Sequence, residues 1–180
     1  TRELVDQLKV YREYGLNGIT IGLQGGSPLA YSPGRETVMG LLRDRGVTAT
    51  EEEVYSGTLK GDRVHPWHNS AFNSDGSLKS GFMERLKLVI EEADEQGIVV
   101  VLVLFYFGQD ERLEDEEAVK RAVKNACHWV LENGYTNVLI EINNECNVDR
   151  YVHEVLKPYR VHEIIELAKS VTYNGRRLLV

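Results

Sequence analysis

Cysteine is scarce: Cys127 and Cys146 are the only 2 in 180 residues. They stand too far apart in sequence to suggest a zinc ribbon or a redox pair, and Cys127, inside an expected helix, reads as a small core residue. Basic charge is outweighed, with 21 Lys and Arg against 28 Asp and Glu, a net charge of -7 and a pI near 5.3. A nucleic-acid surface needs a basic patch, so that class of partner is not expected. Long apolar runs are also missing. None approaches the ~20 residues of a membrane span, so no membrane partner is expected either. The chain has no internal repeat and no low-complexity tract. What it does have, 42% hydrophobic and 27% charged residues, suits one globular domain, residues 1–180, with a sizeable core.

The apolar spacing alternates between helical and strand periods. Leu4, Val5, Leu8 and Tyr11 predict a helix over 2–14 that stops at Gly15. A short strand, Gly18 to Leu23, leads into Gln24-Gly25-Gly26-Ser27-Pro28. Paired glycines after a strand can let backbone amides approach a phosphate, but the Gly-x-Gly-x-x-Gly spacing is absent and no Lys-Ser/Thr follows. The run reads as a tight active-site loop. Residues 29–77 exceed an ordinary connection and are expected to form an insertion folded as a lid over the site. Within them Arg35 to Arg45 reads as a short helix, and Thr50 to Glu53 has the form of a capping box. His65 and His68 share a His-x-x-His spacing, yet Pro66 lies between them on a loop and no carboxylate pattern completes a shell, so no metal site is expected. Trp67 is an apolar platform or a loop anchor.

From Leu78 the pattern is regular. Leu78, Phe82, Leu86, Val89, Ile90 and Ala93 share a helical face up to Gly97. Ile98 to Phe105 is the longest unbroken apolar run and predicts a strand buried on both faces, ending in Tyr106-Phe107-Gly108-Gln109-Asp110. Tyr106 and Gln109 can hydrogen-bond to a ligand; equally, the aromatic pair can finish the core. A helix from Glu116 to Asn133 buries Val119, Ala122, Val123, Ala126, Trp129 and Val130, and Gly134 closes it. After the strand near Asn137, residues 148–160 read as a charged loop or short helix, His162 to Val171 as a helix, and Arg176 to Val180 as the start of another strand. His128, His153 and His162 are each alone on their elements, which points to solvated or structural roles. Strict alternation of helix and strand predicts an α/β protein with a parallel sheet. A doubly wound sheet and part of a barrel both satisfy it.

Chemistry concentrates in Asn137 to Asn147. Val138, Ile140 and Ile142 share one face of the expected strand, while Leu139, Glu141, Asn143 and Glu145 share the other, which turns polar toward its carboxyl end. A carboxyl group buried there would have a raised pKa and could protonate a leaving oxygen. The amide of Asn144 can donate to and accept from a hydroxyl. The plain alternative is that Asn144 and Glu145 cap whatever helix follows.

The run Ile-Glu-Ile-Asn-Asn-Glu-Cys, residues 140–146, resembles the strand-four signature of retaining glycoside hydrolases of the cellulase-like (β/α)8 superfamily, in which an apolar strand ends in Asn-Glu. Cys146 stands where many members have Pro. The resemblance extends from about Gly15 to Val180 and implies a partial barrel covering strands two to five, with the insertion after strand two. It implies that Glu145 is the general acid/base, that Asn144 contacts the sugar hydroxyl next to the scissile bond, and that no cofactor is required. The expected substrate is a β-linked oligo- or polysaccharide, with Gln24, Trp67, Asn69, Tyr106 and Gln109 as further substrate contacts. A complete barrel of this kind needs about 250 residues. The chain, which begins at Thr1 and ends in Leu178-Leu179-Val180, is therefore expected to be a piece of a longer protein, with the rest of the barrel and the nucleophilic Glu of strand seven beyond Val180. Two other readings stand beside this one: a barrel lyase or aldolase with a metal on Glu141 and Glu145, and a barrel that binds carbohydrate without cleaving it.

Overall fold

The computed structural model describes residues 1–25, 35–44, 46–50 and 69–180. Trp67, His65, His68, most of the expected capping box and most of the expected lid lie outside the described residues. Helix α1 (Arg2–Glu13) precedes strand β1 (Gly18–Gly22), and α2 (Arg35–Asp44) falls where the short helix was expected. Helix α3 (Ser80–Glu95), strand β2 (Val99–Phe105), helix α4 (Glu116–Glu132), strand β3 (Val138–Asn143) and helix α5 (Val161–Ser170) then alternate. Four helices run into a glycine that takes the left-handed conformation, Gly15, Gly46, Gly97 and Gly134.

The sheet is parallel and its order is β1-β2-β3, so strands that follow one another in the chain lie side by side. Ile21 pairs with Leu102, and Leu102 with Ile140, which puts the apolar residues of all three strands on a common face. That face, carrying Val100, Leu102, Leu104, Val138, Ile140 and Ile142, is buried. Helix α3 adds Met83, Leu86, Val89, Ile90 and Ala93 to the same core, and α4 adds Val119, Ala122, Val123, Ala126, Cys127 and Val130. Burying each large apolar side chain stabilises the fold by roughly 1.5–3 kcal/mol. Cys127 is thus a core residue, as expected. A fourth segment joins the sheet edge beyond β3, where Leu139 bridges Leu179 in parallel and the Ile140 N–H donates to the Leu179 carbonyl over 2.9 Å. The chain is therefore an α/β protein built on a parallel sheet.

Three expectations need correction. Strand β2 is not covered on both faces: Val99 is 39% exposed and Val101 half-buried, and on the neighbouring β3 Leu139 and Glu141 are half-buried as well. Covering groups reach this second face at its carboxyl end, where Phe72 packs on Phe105 with ring centroids 5.6 Å apart. Leu78 does not open helix α3. It bridges Phe72, and the helix starts at Ser80 after the turn closed by Asp75 and Ser77. Arg176 does not begin a parallel strand either. Strands β4 (Thr172–Tyr173) and β5 (Arg176–Arg177) form an antiparallel hairpin around Asn174 and Gly175, whose φ values of +49° and +75° suit the tight turn that Asn-Gly favours. Local turn chemistry delays the return to the sheet until Leu179.

Two features fix the helices. Asp115 caps α4 by accepting from the Ala118 N–H over 2.6 Å. Arg160, just before α5, makes a two-pronged ion pair with Glu116 at the start of α4, at 2.8 and 3.1 Å. Among the described residues no helix is long and apolar enough to cross a membrane.

Candidate functional site

Strand β3 ends at Asn143, and the next residues form a turn at the carboxyl end of the sheet. The Asn144 N–H still follows the strand register and donates to the Phe105 carbonyl over 3.1 Å. Glu145 then leaves it, with a left-handed φ of +48°. Such a conformation costs a residue with a side chain roughly 1–2 kcal/mol, and it persists only where surrounding contacts impose it. The Glu145 side chain is exposed, and its Oε2 accepts from the Asn144 amide over 3.3 Å. No α-helix follows for these residues to cap: after a short 3-10 turn at Glu154–Leu156, α5 begins only at Val161. The expected environment differs in one respect. The carboxyl is expected to be buried, yet the side chain projects from the turn toward solvent.

The contacts that impose the turn come from the loop that follows. Tyr151 is buried, and its hydroxyl donates to the Asn144 carbonyl over 2.5 Å, with the Phe105 carbonyl 3.4 Å away. Asn143 donates through its side-chain amide to the Leu156 carbonyl over 2.8 Å. Asp110, fully buried, receives the Val152 and His153 N–H groups on Oδ2 at 2.8 and 3.3 Å and the Gly108 N–H on Oδ1 at 3.2 Å. His153 Nε2 lies 3.1 Å from both the Asp110 and Leu113 carbonyls; since both can only accept, Nε2 carries the proton. Burial holds the Asp110 carboxyl above the ordinary carboxylate range, opposed by those N–H donors and by the His153 imidazole. Burial likewise raises the Tyr151 hydroxyl, helped by the negative charge of Asp110.

The other residues anticipated from the sequence gather one strand away. Gln24 is 1% exposed, and both ends of its amide are engaged. Its oxygen accepts from the Tyr106 N–H over 3.1 Å, while its nitrogen lies 3.2 Å from both the Gln109 carbonyl and Ser70 Oγ. Gln109 is fully buried, and its side-chain oxygen accepts from the Asn69 N–H over 3.3 Å. Asn69 in turn accepts from the Gly25 N–H, so the 69–72 segment is laced to the end of β1. Tyr106 and Phe107 are buried, with ring centroids 4.3 Å apart, and Phe107 meets Tyr151 edge-on at 5.9 Å. The guanidinium of the exposed Arg150 sits over Phe107, 4.5 Å from its centroid.

The peptide joining Phe105 to Tyr106 is the common point: its carbonyl receives Asn144, and its N–H is held by Gln24. The structure thus brings Gln24, Asn69, Tyr106, Gln109 and Asn144 around one end of the sheet, with Glu145 at the exposed tip. Asp110, Tyr151 and His153 were not anticipated as contributors to the site. His153 is structural, as expected, but Asp110 and the backbone it holds are 42 residues apart, and no local pattern links them. Among the described residues no group of three or more His, Cys, Asp and Glu side chains could hold a metal ion, and Glu141 and Glu145 form no such group. Compared with protein-family models, with curated proteins and with solved structures, the chain matches none of them.

Proposed function

We propose that this chain is part of a (β/α)8-barrel glycoside hydrolase that cleaves a β-linked oligo- or polysaccharide, with Glu145 as general acid/base and Asn144 on the neighbouring sugar hydroxyl. The observation that carries the reading is the exposed carboxylate of Glu145, held in a left-handed turn beside an amide at the carboxyl end of a parallel strand. Active sites of such barrels sit at that end of the strands. The sequential order of β1, β2, β3 and the Leu179 bridge supports barrel winding over a doubly wound sheet, whose strand order reverses at a switch point. The second face, with the half-buried Val101 and Leu139, suits the apolar interior of such a barrel.

In a retaining mechanism Glu145 protonates the departing oxygen and later activates water, while a second carboxylate about 5 to 5.5 Å away attacks the anomeric carbon. On this reading neither that partner nor the remaining strands are among the described residues. The test uses a protein that carries this chain together with the rest of the barrel. Glu145→Gln should slow hydrolysis of substrates with poorly leaving alcohols by about 10²–10⁴-fold, and slow activated aryl glycosides far less at the bond-breaking step, because a good leaving group needs no proton. Near-wild-type turnover of the poor substrates would rule out the acid/base role. Binding of polysaccharide by the unaltered protein with no release of sugar would replace hydrolysis by carbohydrate binding.

A further inference from the structure

We infer that Asp110 is a positioning residue for Glu145, acting through the loop that returns from Glu145 to His153. The carboxylate is itself buried and lies on a different strand's exit, yet it gathers the N–H groups of Val152 and His153 on one oxygen and that of Gly108 on the other. Tyr151, adjacent to that anchor, reaches back to the Asn144 carbonyl. The loop is therefore pinned at its far end by an anion and at its near end by a phenol. Between these points, Val148 closes the turn by donating to the Glu145 carbonyl over 2.9 Å. With both pins in place the peptide before Glu145 cannot rotate, and the residue is kept in its left-handed conformation. Without them, relaxation to an ordinary backbone angle would swing the carboxyl away from Asn144.

The energetics separate this role from simple stabilisation. A buried carboxylate is costly, and here burial outweighs the N–H donors, because the net effect on the group is upward. Ionising Asp110 therefore takes stability away as pH rises above the ordinary carboxylate value of 3.8. The anion is nevertheless the form that accepts all three N–H groups at full strength. Global stability and loop order should then respond to this residue in opposite senses. The titratable and charged groups facing it are His153 and Tyr151 from the loop and, further off, Lys157, with Glu111 and Arg112 in its own turn.

The experiment compares the unaltered chain with Asp110→Asn and Tyr151→Phe by amide hydrogen exchange and thermal melting. Asp110→Asn removes the buried charge but presents an N–H₂ group to at least one N–H donor. It should leave the melting temperature unchanged or raised while speeding exchange at Asn144, Val148, Val152 and His153 about tenfold or more, as expected for the loss of a charge-assisted hydrogen bond. In the unaltered chain, the same amides should lose protection on acidification while those of β2 keep theirs. Tyr151→Phe, which removes a single hydroxyl, serves if Asp110→Asn does not fold, and should speed exchange at Asn144 and Val148. Unchanged exchange at Asn144 and Val148 in a folded variant overturns the inference, and so does a fall in melting temperature with the loop and β2 amides loosening together. The activity arm alone rests on the acid/base reading: in the longer protein, Asp110→Asn should lower kcat with KM little changed. If Glu145→Gln leaves hydrolysis intact, the catalytic reading fails while the exchange result still decides whether Asp110 positions the turn.

Discussion

Replacing Gln24 by Leu separates two roles for the same residue. As a substrate contact, Gln24 would lose ligand affinity on replacement and leave the fold untouched. As a lock between β1 and β2, its loss strips a partner from the Tyr106 N–H and from the Gln109 carbonyl, both bonded to its amide at 3.1 and 3.2 Å. Each buried polar group left unmade costs about 1–3 kcal/mol. Ser70 and the Gln109 carbonyl lose least, because the hydroxyl also accepts from the Phe72 N–H over 3.1 Å and the carbonyl from the Arg112 N–H over 3.2 Å. Leucine has nearly the volume of glutamine and regains some apolar burial, which leaves an expected net loss of about 1–3 kcal/mol. For a domain of this size each kcal/mol lowers the melting temperature by about 2–4 °C, so a loss of about 2 kcal/mol should appear as a fall of roughly 4–8 °C. Circular dichroism during heating, with urea unfolding for the free energy, measures it directly. Gln24→Glu refines the test: it keeps the acceptor for Tyr106 but sets a carboxylate against the Gln109 carbonyl. That variant should approach the unaltered protein's stability only at acid pH, where the new carboxyl is protonated, and lose it as pH rises. A Gln24→Leu protein melting within about 2 °C of the unaltered chain would refute the lock and return Gln24 to the substrate.

The remaining expectations concern the core and a close approach. Burial pushes the Cys127 thiol up to about 12 and covers it completely, so at pH 8 a thiol reagent should label the half-buried Cys146 and spare Cys127 until denaturant is added. Two thiols reacting rapidly in the native chain would mean that α4 does not pack as described. Gly76 holds a φ of +84°, and a Cβ there would lie 2.2 Å from the Ala118 carbonyl oxygen. Gly76→Ala should therefore cost at least about 2 kcal/mol from backbone strain and from pushing the turn off α4. Urea unfolding measures this, and a change under about 0.5 kcal/mol would show that the turn does not rest on α4.

How much of this was legible follows from distance along the chain. The helical stripes of α3 and α4, the glycines that end α1, α3 and α4, the burial of Cys127 and the apolar face of β3 are all properties of consecutive residues. Side-chain stereochemistry imposes periods of 3.6 and 2 whatever the rest of the molecule does, so these can be read directly. The candidate site was half legible. Asn144 and Glu145 announce themselves as polar groups ending an apolar strand, but whether they cap a helix or turn outward depends on the loop behind them. The second face of the sheet looked covered because valine and leucine carry no mark of what lies opposite. At Asn174-Gly175 the apolar run that follows reads as the start of a strand, whereas the Asn-Gly turn closes a local hairpin first.

By itself, then, the order of residues determined which segments coil and which extend, and that the extended ones belong side by side in an α/β sheet. Only the tertiary structure decided the meetings across the chain: Gln24 with Tyr106, 82 residues on, and Asp110 with Val152, 42 residues on. A hydrogen bond forms between groups within about 3 Å. Whether two groups so far apart in sequence come that close is set by strand register and by how each loop folds back, quantities that belong to the assembled chain and to no stretch of it alone.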